Sequence, residues 1–271
     1  MKPIGIDAGG TLLKIAHPLE QGILKYESYP VDQAETILAG LTDKYPDLEY
    51  CITGGKSGVL RNKLPGKWIS FPEFDCICKG SAYLFRKQRG WDGRPFLLVS
   101  VGTGTSLFYV DESEQERVGG TGIGGGTFLG LGRLLTGENR FSRLVHLAEI
   151  GNREPVDLLV RDLYEGEIPP IPGDLTAANF AKASAIGRIE PENAMAALIH
   201  LIGETLLLLA LETKKQLGVD TLVFVGGLLE GNRPLRKVLT RFQTLFDYKA
   251  VFLENGIYAG ATGAWLLGKE E

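Results

Sequence analysis

A carboxylate, two adjacent glycines, a hydroxyl and a lysine fall together near the start of the chain, in Asp7-Ala8-Gly9-Gly10-Thr11-Leu12-Leu13-Lys14. Paired glycines let the backbone approach a ligand closely and reach positive φ. Their N–H groups, with the Thr11 hydroxyl, can line an anion pocket. Asp7 beside such a pocket suits a divalent cation that bridges carboxylate and phosphate, reached through water. Lys14 has two readings, a phosphate contact or an ordinary exposed strand lysine. Phosphoryl transfer also needs a base near the acceptor hydroxyl and positive charge for the group in flight. Glu73 lies between Phe71 and Phe74, where partial burial raises a carboxyl pKa toward a useful value. Asp75 is the rival base, and Arg117, leading into a long glycine run, is a candidate cation. Without further context, Glu73 and Asp75 read first as solvated loop carboxylates, and Arg117 as a surface strand residue. His17, His146 and His200 have no partner at metal or triad spacing, and no histidine stands near Cys76 and Cys78 to complete a zinc site.

The elements that must position these residues follow from periodicity and punctuation. Residues 4–9, 12–17 and 22–29 read as three consecutive strands with Gly or Pro at their ends. A helix capped at Asp32 follows, with Ala34, Ile37, Leu38 and Leu41 on one face, and Pro46 closes it. Leu48 to Thr53 is the next strand and ends in Gly54-Gly55. Residues 62–75 read as loop, 76–89 as helix, and Trp91-Asp92-Gly93-Arg94-Pro95 as a domain boundary. The pattern then restarts. Phe96 to Val101 ends in Gly102-Thr103-Gly104-Thr105-Ser106, a second strand runs from Leu107 to Val110, and a third begins at Arg117-Val118. Strand, glycine turn, strand therefore occurs twice, as in an internal duplication whose two hairpins face one cleft.

Gly119-Gly120-Thr121-Gly122-Ile123-Gly124-Gly125-Gly126 opens a helical pattern through Phe128, Leu129, Leu131, Leu134 and Leu135, an anion site in principle. Residues 140–164 read as two helices broken at Gly151. Asp174 or Thr176 is expected to cap a helix through Ala183. Pro191 and Gly218 bracket a long helix. Thr221 to Val225 is a buried strand ending in Gly226-Gly227, Ala250 to Leu253 is the last strand, and Tyr258 to Leu267 is a closing helix rich in small residues. In open α/β sheets ligands bind beyond the carboxyl ends of the strands. The glycine or hydroxyl turns at 7–11, 53–55, 102–106 and 226–227 are therefore expected to converge.

Composition bounds the function. In 271 residues, 44% apolar and 23% charged, there is ample core for one large or two ordinary domains. A net charge of −4 without a Lys/Arg run gives no support to nucleic-acid binding. Three cysteines, Cys51, Cys76 and Cys78, suit a reducing cytosol. The N-terminus enters a strand directly, without a signal-peptide pattern. The stretch Ala196 to Leu211 is interrupted by His200, Gly203 and Glu204. It reads as a buried core helix, too short and too polar at its centre to span a bilayer.

The octet 7–14, Glu73-Phe74-Asp75, Val101-Gly102-Thr103-Gly104-Thr105-Ser106, the run Arg117 to Gly126 and Pro170-Ile171-Pro172-Gly173-Asp174-Leu175-Thr176-Ala177-Ala178-Asn179-Phe180 resemble, in order and over essentially the whole chain, type II pantothenate kinases of the short bacterial form. The run 170–180 is specific to that family; the first hairpin is shared by the wider acetate and sugar kinase, Hsp70 and actin superfamily. The resemblance implies an α/β fold of two ribonuclease-H-like (actin-like ATPase) domains around a nucleotide cleft. The first domain would span residues 1–92, joined by a C-terminal helix at about 256–271, and the second 93–255. It also implies a cytoplasmic homodimer that phosphorylates pantothenate with ATP and Mg2+, the first step of coenzyme A synthesis. No nucleic-acid or membrane partner is expected. Glu73 would be the catalytic base, and Arg117 would orient the substrate and support the phosphoryl group. ATP would be held by Asp7, Ala8, Gly9, Gly10, Thr11, Leu12, Leu13, Lys14, Thr103, Gly125, Gly126, Thr127, Phe128 and Leu129, with Phe141 and Gly227 at further nucleotide positions. At the last two, relatives carry tyrosine and serine. The alternatives are another small-molecule kinase of the superfamily, of the N-acetylglucosamine type, or a nucleotide-regulated binding protein.

Overall fold

The computed structural model describes residues 3–19, 23–164 and 166–271. The first hairpin is β1 (Ile4–Ala8) and β2 (Leu12–Pro18), followed by β3 (Leu24–Pro30), α1 (Ala34–Lys44) and β4 (Glu49–Thr53). The expected start of the third strand at residue 22 lies outside the described residues. The stretch expected to be loop is instead structured. It holds the end of α2 (Ser57–Lys63), then β5 (Lys67–Ser70), and α3 (Glu73–Arg89) begins three residues earlier than expected. A four-residue strand between Pro65-Gly66 and Pro72 is too short to show a period. Pro72, in extended conformation, is the N-cap that starts α3 at Glu73. The candidate base is therefore the first residue of a helix and not a loop carboxylate.

The second half repeats the plan with β6 (Phe96–Val101), β7 (Thr105–Val110) and β8 (Gln115–Thr121), then α4 (Gly125–Thr136) and α5 (Phe141–Ile150). Next come β9 (Leu158–Leu159), α6 (Val160–Leu163), β10 (Thr176–Ala178), α7 (Pro191–Leu217), β11 (Thr221–Val225), α8 (Arg233–Thr240), β12 (Lys249–Phe252) and α9 (Ala259–Gly268). One sheet has the order β3-β2-β1-β4-β5 and the other β8-β7-β6-β11-β12. In each, the hairpin strands are antiparallel and the other two join in parallel. The duplication expected from the two glycine hairpins is thus a duplication of sheet topology.

Two expectations in the second half are corrected, and one helix is added. After Gly151 the chain is not a second long helix, because Pro155 bars one and only the single turn α6 forms. Residues 174–183 form no capped helix. Thr176 spends its hydroxyl on Glu204 Oε1 at 2.9 Å and enters β10, and Phe180 sits in the left-handed region at φ 57°. The helix α8 was missed, although Asn232 caps it by accepting from Leu235 N–H at 3.1 Å.

The layer between the sheets is made by α3 and α9. On β1, Ile4, Ile6 and Ala8 face α1 and join its core, whereas Gly5 faces the α9 backbone. Where α3 and α9 cross, Gly80 abuts the Ala259 carbonyl and Gly263 the Cys76 carbonyl, so a β-carbon at either glycine would overlap the facing oxygen. Cys51 and Cys76 pack with Ala264 at this junction. Burial pushes their thiols, and that of Cys78, up to about 12, which leaves them inert packing groups.

At 27 residues α7 is longer than the apolar stretch that marks it, and by length and composition it could cross a membrane. In this fold it is a core helix: Met195, Leu198, Ile199, Ile202, Leu206 and Leu207 are buried against the second sheet and its helices.

Candidate active site

The two hairpin tips meet. Thr11 Oγ1 and Thr103 Oγ1 are 3.5 Å apart, although the residues come from different sheets. The N–H groups of Gly10, Thr11 and Thr103 bond to no described residue, so each of the two meeting tips carries unspent donors. Such converging backbone N–H groups make an anion pocket.

Asp7 stands behind the first tip. Its side chain is buried, and Oδ2 accepts from Lys14 Nζ at 2.8 Å, across the hairpin register that pairs the two residues. Two glycines frame the carboxylate. Gly54 has φ +93°, and a β-carbon there would stand 2.7 Å from Asp7 Oδ1 and 2.6 Å from the Ala8 carbonyl. At Gly260, in the first turn of α9, a β-carbon would stand 2.8 Å from Oδ2. The helix N-terminus thus abuts an anion, as its dipole favours. No metal-binding group of three or more His, Cys, Asp or Glu occurs among the described residues. A single carboxylate nevertheless fits Mg2+, which keeps most of its waters and takes other ligands from substrate phosphates.

The turn at 102–104 is braced from below by the glycine run. Gly125 N–H donates to the Gly102 carbonyl at 2.8 Å and Gly126 N–H to the Thr103 carbonyl at 2.9 Å. These two N–H groups are spent on shaping the second tip and are not free for a phosphate. Thr127 Oγ1 accepts from Gly124 N–H at 3.3 Å and caps α4. Gly226, with φ +112°, packs on the Val101 backbone and brings Gly227 to the same strand ends. The four expected turns therefore do converge.

Several expected nucleotide residues face inward. Ala8, Leu13 and Phe128 are fully buried, and Phe128 meets Phe141 edge to face at 5.7 Å between centroids. Leu129 and Phe141 are partly buried against the same core. Their side chains build the wall, and Ala8, Leu13 and Phe128 offer a ligand no side-chain surface. Leu12 is half-buried on the outer end of β2.

Glu73 is exposed to the cleft, and partial desolvation of its carboxyl there raises its pKa. The nearby Asp7 charge raises it further, and Lys14 opposes both. Two residues on, Asp75 is exposed in the same first turn. Between them Phe74 packs edge to face on Phe108 at 5.3 Å, and the Arg117 guanidinium lies 5.6 Å from the Phe74 ring centroid. Arg117 is exposed and makes no ion pair with a described residue. The residue after the carboxylate with a raised pKa therefore carries an arginine with no ion-pair partner among the described residues. The sequence left unmarked the framing of Asp7 by Gly54 and Gly260; glycines in Gly-Gly and Ala-Gly-Ala contexts were the signal.

A family model described as Fumble matches residues 31–267. The type II pantothenate kinase of Oceanobacillus iheyensis is 43% identical over 267 residues, covering 98% of this chain and 99% of that protein. That of Staphylococcus aureus is 38% identical over 270 residues, with 98% and 99% covered, and that of Staphylococcus haemolyticus 36% over 263, with 96% and 98% covered. Among solved structures, a glucokinase of the ROK family from Streptomyces griseus, in complex with glucose and AMPPNP, aligns with a TM-score of 0.54 at 14% identity, covering 99% of both chains. At that identity the likeness speaks for the fold alone, the two-domain actin-like ATPase fold of the sugar kinases. Matched end to end by these relatives, the chain belongs to the type II pantothenate kinase family.

Proposed function

We infer that the protein transfers the γ-phosphoryl group of ATP to the primary hydroxyl of pantothenate, giving 4′-phosphopantothenate, the first step of coenzyme A biosynthesis. The carrying observation is the full-length match to type II pantothenate kinases, and the reading is supported by Glu73 directly preceding the Phe74 ring on which Arg117 packs. In this reading the tips at Gly9–Thr11 and Thr103 hold the phosphates and Lys14 is the cation beside them. Glu73, with its raised pKa, takes the acceptor proton, and Arg117 meets charge on the group in flight. Mg2+, held by Asp7 through water, would neutralise phosphate charge. Gly125, Gly126, Thr127 and Leu129 shape the nucleotide side of the cleft, with Phe141 and Gly227 at its rim.

The units we propose are residues 1–92 with 256–271, and 93–255. We place the protein in the cytoplasm as a homodimer. Leu131, Leu134 and Leu135 of α4 and Leu208 of α7 are exposed on packed helices, an apolar face suited to a second copy.

The testing experiment is ADP release from ATP with pantothenate, with N-acetylglucosamine and with no acceptor. Release with pantothenate alone is expected. Release with the sugar alone would make the protein a sugar kinase, and release without acceptor would point to a nucleotide-regulated binding protein.

A further inference from the structure

Far from the cleft, the same hairpin strands border a second cavity. Asp7 and Lys14 mark the cleft ends of β1 and β2; Ile4 and His17 mark the other ends, and there α1 leaves the sheet uncovered. The opening is a cavity of ≈ 560 Å³, within the range of small-molecule sites. Its floor is apolar, with Ile15, Ile37 and Leu41 among its lining residues.

The polar groups at its rim are not equivalent. Glu27 is spent twice, on His17 Nε2 at 3.0 Å and on Lys25 Nζ at 2.9 Å. Burial lowers the pKa of His17 despite Glu27, so the imidazole adds no positive charge at neutral pH. Lys44 forms no ion pair with a described residue and lies 5.1 Å from the Tyr45 ring centroid. Among the described residues, one cation without an ion-pair partner therefore stands beside the cavity's apolar floor.

Gly40 is the independent observation. It lies within α1 and lines the cavity, and a β-carbon there would meet nothing within 4 Å. Its φ is not in the left-handed region. A helix-interior glycine is less favourable than alanine by about 1 kcal/mol, and neither backbone conformation nor close packing explains this one. A longer side chain at this lining position would have open space to grow into.

We propose that this cavity is a binding site for a small amphipathic anion, an apolar body carrying one carboxylate, with the body on the Ile15–Ile37–Leu41 floor and the carboxylate at Lys44. The site is separate from the cleft and does not depend on the reaction assigned there.

The probe is decanoate, with decanol as its neutral counterpart. Binding to the full chain is measured by titration calorimetry in the presence of saturating non-hydrolysable ATP analogue. Decanoate is expected to bind once per chain and more tightly than decanol. Gly40→Leu grows a side chain into the cavity and should abolish both. Lys44→Gln should weaken decanoate about threefold to fivefold, the scale of one exposed charge pair, and leave decanol unchanged. Neither residue belongs to the cleft, so ATP turnover and Tm serve as fold controls. Absent decanoate binding, equal binding to Gly40→Leu, or equal loss of both probes in Lys44→Gln would each overturn the proposal.

Discussion

Lys14 Nζ lies 2.8 Å from Asp7 Oδ2, and the two residues are direct partners in the β1–β2 register. The hairpin thus delivers a carboxylate and its counterion together, both largely shielded from solvent. Both also act on Glu73, Asp7 raising its pKa and Lys14 lowering it. The charge state of the proposed base is therefore set by a pair on another element.

This has a sign that can be measured. Glu73 works as a base only when ionised, and its folded pKa is raised. Activity is present above that pKa and is lost as pH falls through it. The acid limb of kcat against pH is expected above the usual glutamate value, and Lys14→Met, which removes the opposing cation, should move it higher. A limb at or below the ordinary value, or one that moves down in Lys14→Met, contradicts the assignment.

Arg117→Ala is expected to lower kcat by about 10²–10³ with a small change in ATP affinity, because a donor to developing charge acts mainly in the transition state. Steady-state kinetics paired with nucleotide titration separates the cases. An effect confined to the KM for ATP would remove the proposed role.

Gly263→Ala tests the helix crossing on which the cleft is built. The added methyl has no room before the Cys76 carbonyl, a backbone atom that cannot rotate away. Overpacking of this kind costs about 1–3 kcal/mol, a fall of roughly 2–4 °C in Tm per kcal/mol at this size. Thermal unfolding of the variant at or above the parent Tm would show that α3 and α9 are not locked there.

The segment 174–180 hangs on one buried cation. Arg153 Nη1 lies 3.4 Å from both Asp157 Oδ2 and Glu204 Oε1, Nη2 donates to the Asp174 carbonyl at 2.7 Å, and the guanidinium also bonds Thr176. Arg153 is 7% and Asp157 0% exposed. Removing one member of a buried pair costs about 3–5 kcal/mol, since the other charge is left unpaired. Arg153→Met should lose that much in denaturant unfolding; a loss under 1 kcal/mol would mean the network holds little.

The hairpins, the long helix 191–217 and the closing helix were legible because each carries its own punctuation: paired glycines, Pro191 with Gly218, a run of small residues. Glu73 was legible as a candidate through its aromatic neighbours, but its place on α3 was not, since β5 before it is too short to show a period. The Arg153 network was illegible for a different reason. Its partners come from segments around residues 157, 174 and 204, and no local pattern announces a buried arginine. The crossing of Gly80 on Ala259 likewise joins residues that only the folded sheets bring together.

The most direct test is kcat for Glu73→Gln beside Asp75→Asn, each with its nucleotide affinity. Glutamine keeps the shape and an acceptor oxygen but takes no proton. It also removes a carboxylate whose ionised form the fold disfavours, so the variant should stay folded and bind ATP at neutral pH. A positioned general base contributes about 10²–10⁴ in rate, and a loose phosphoryl-transfer transition state allows the lower half of that range. Glu73→Gln is expected to lose at least ~10²-fold in pantothenate phosphorylation while Asp75→Asn stays near the parent. A dead Asp75→Asn beside a Glu73→Gln that works close to the parent rate would contradict the account.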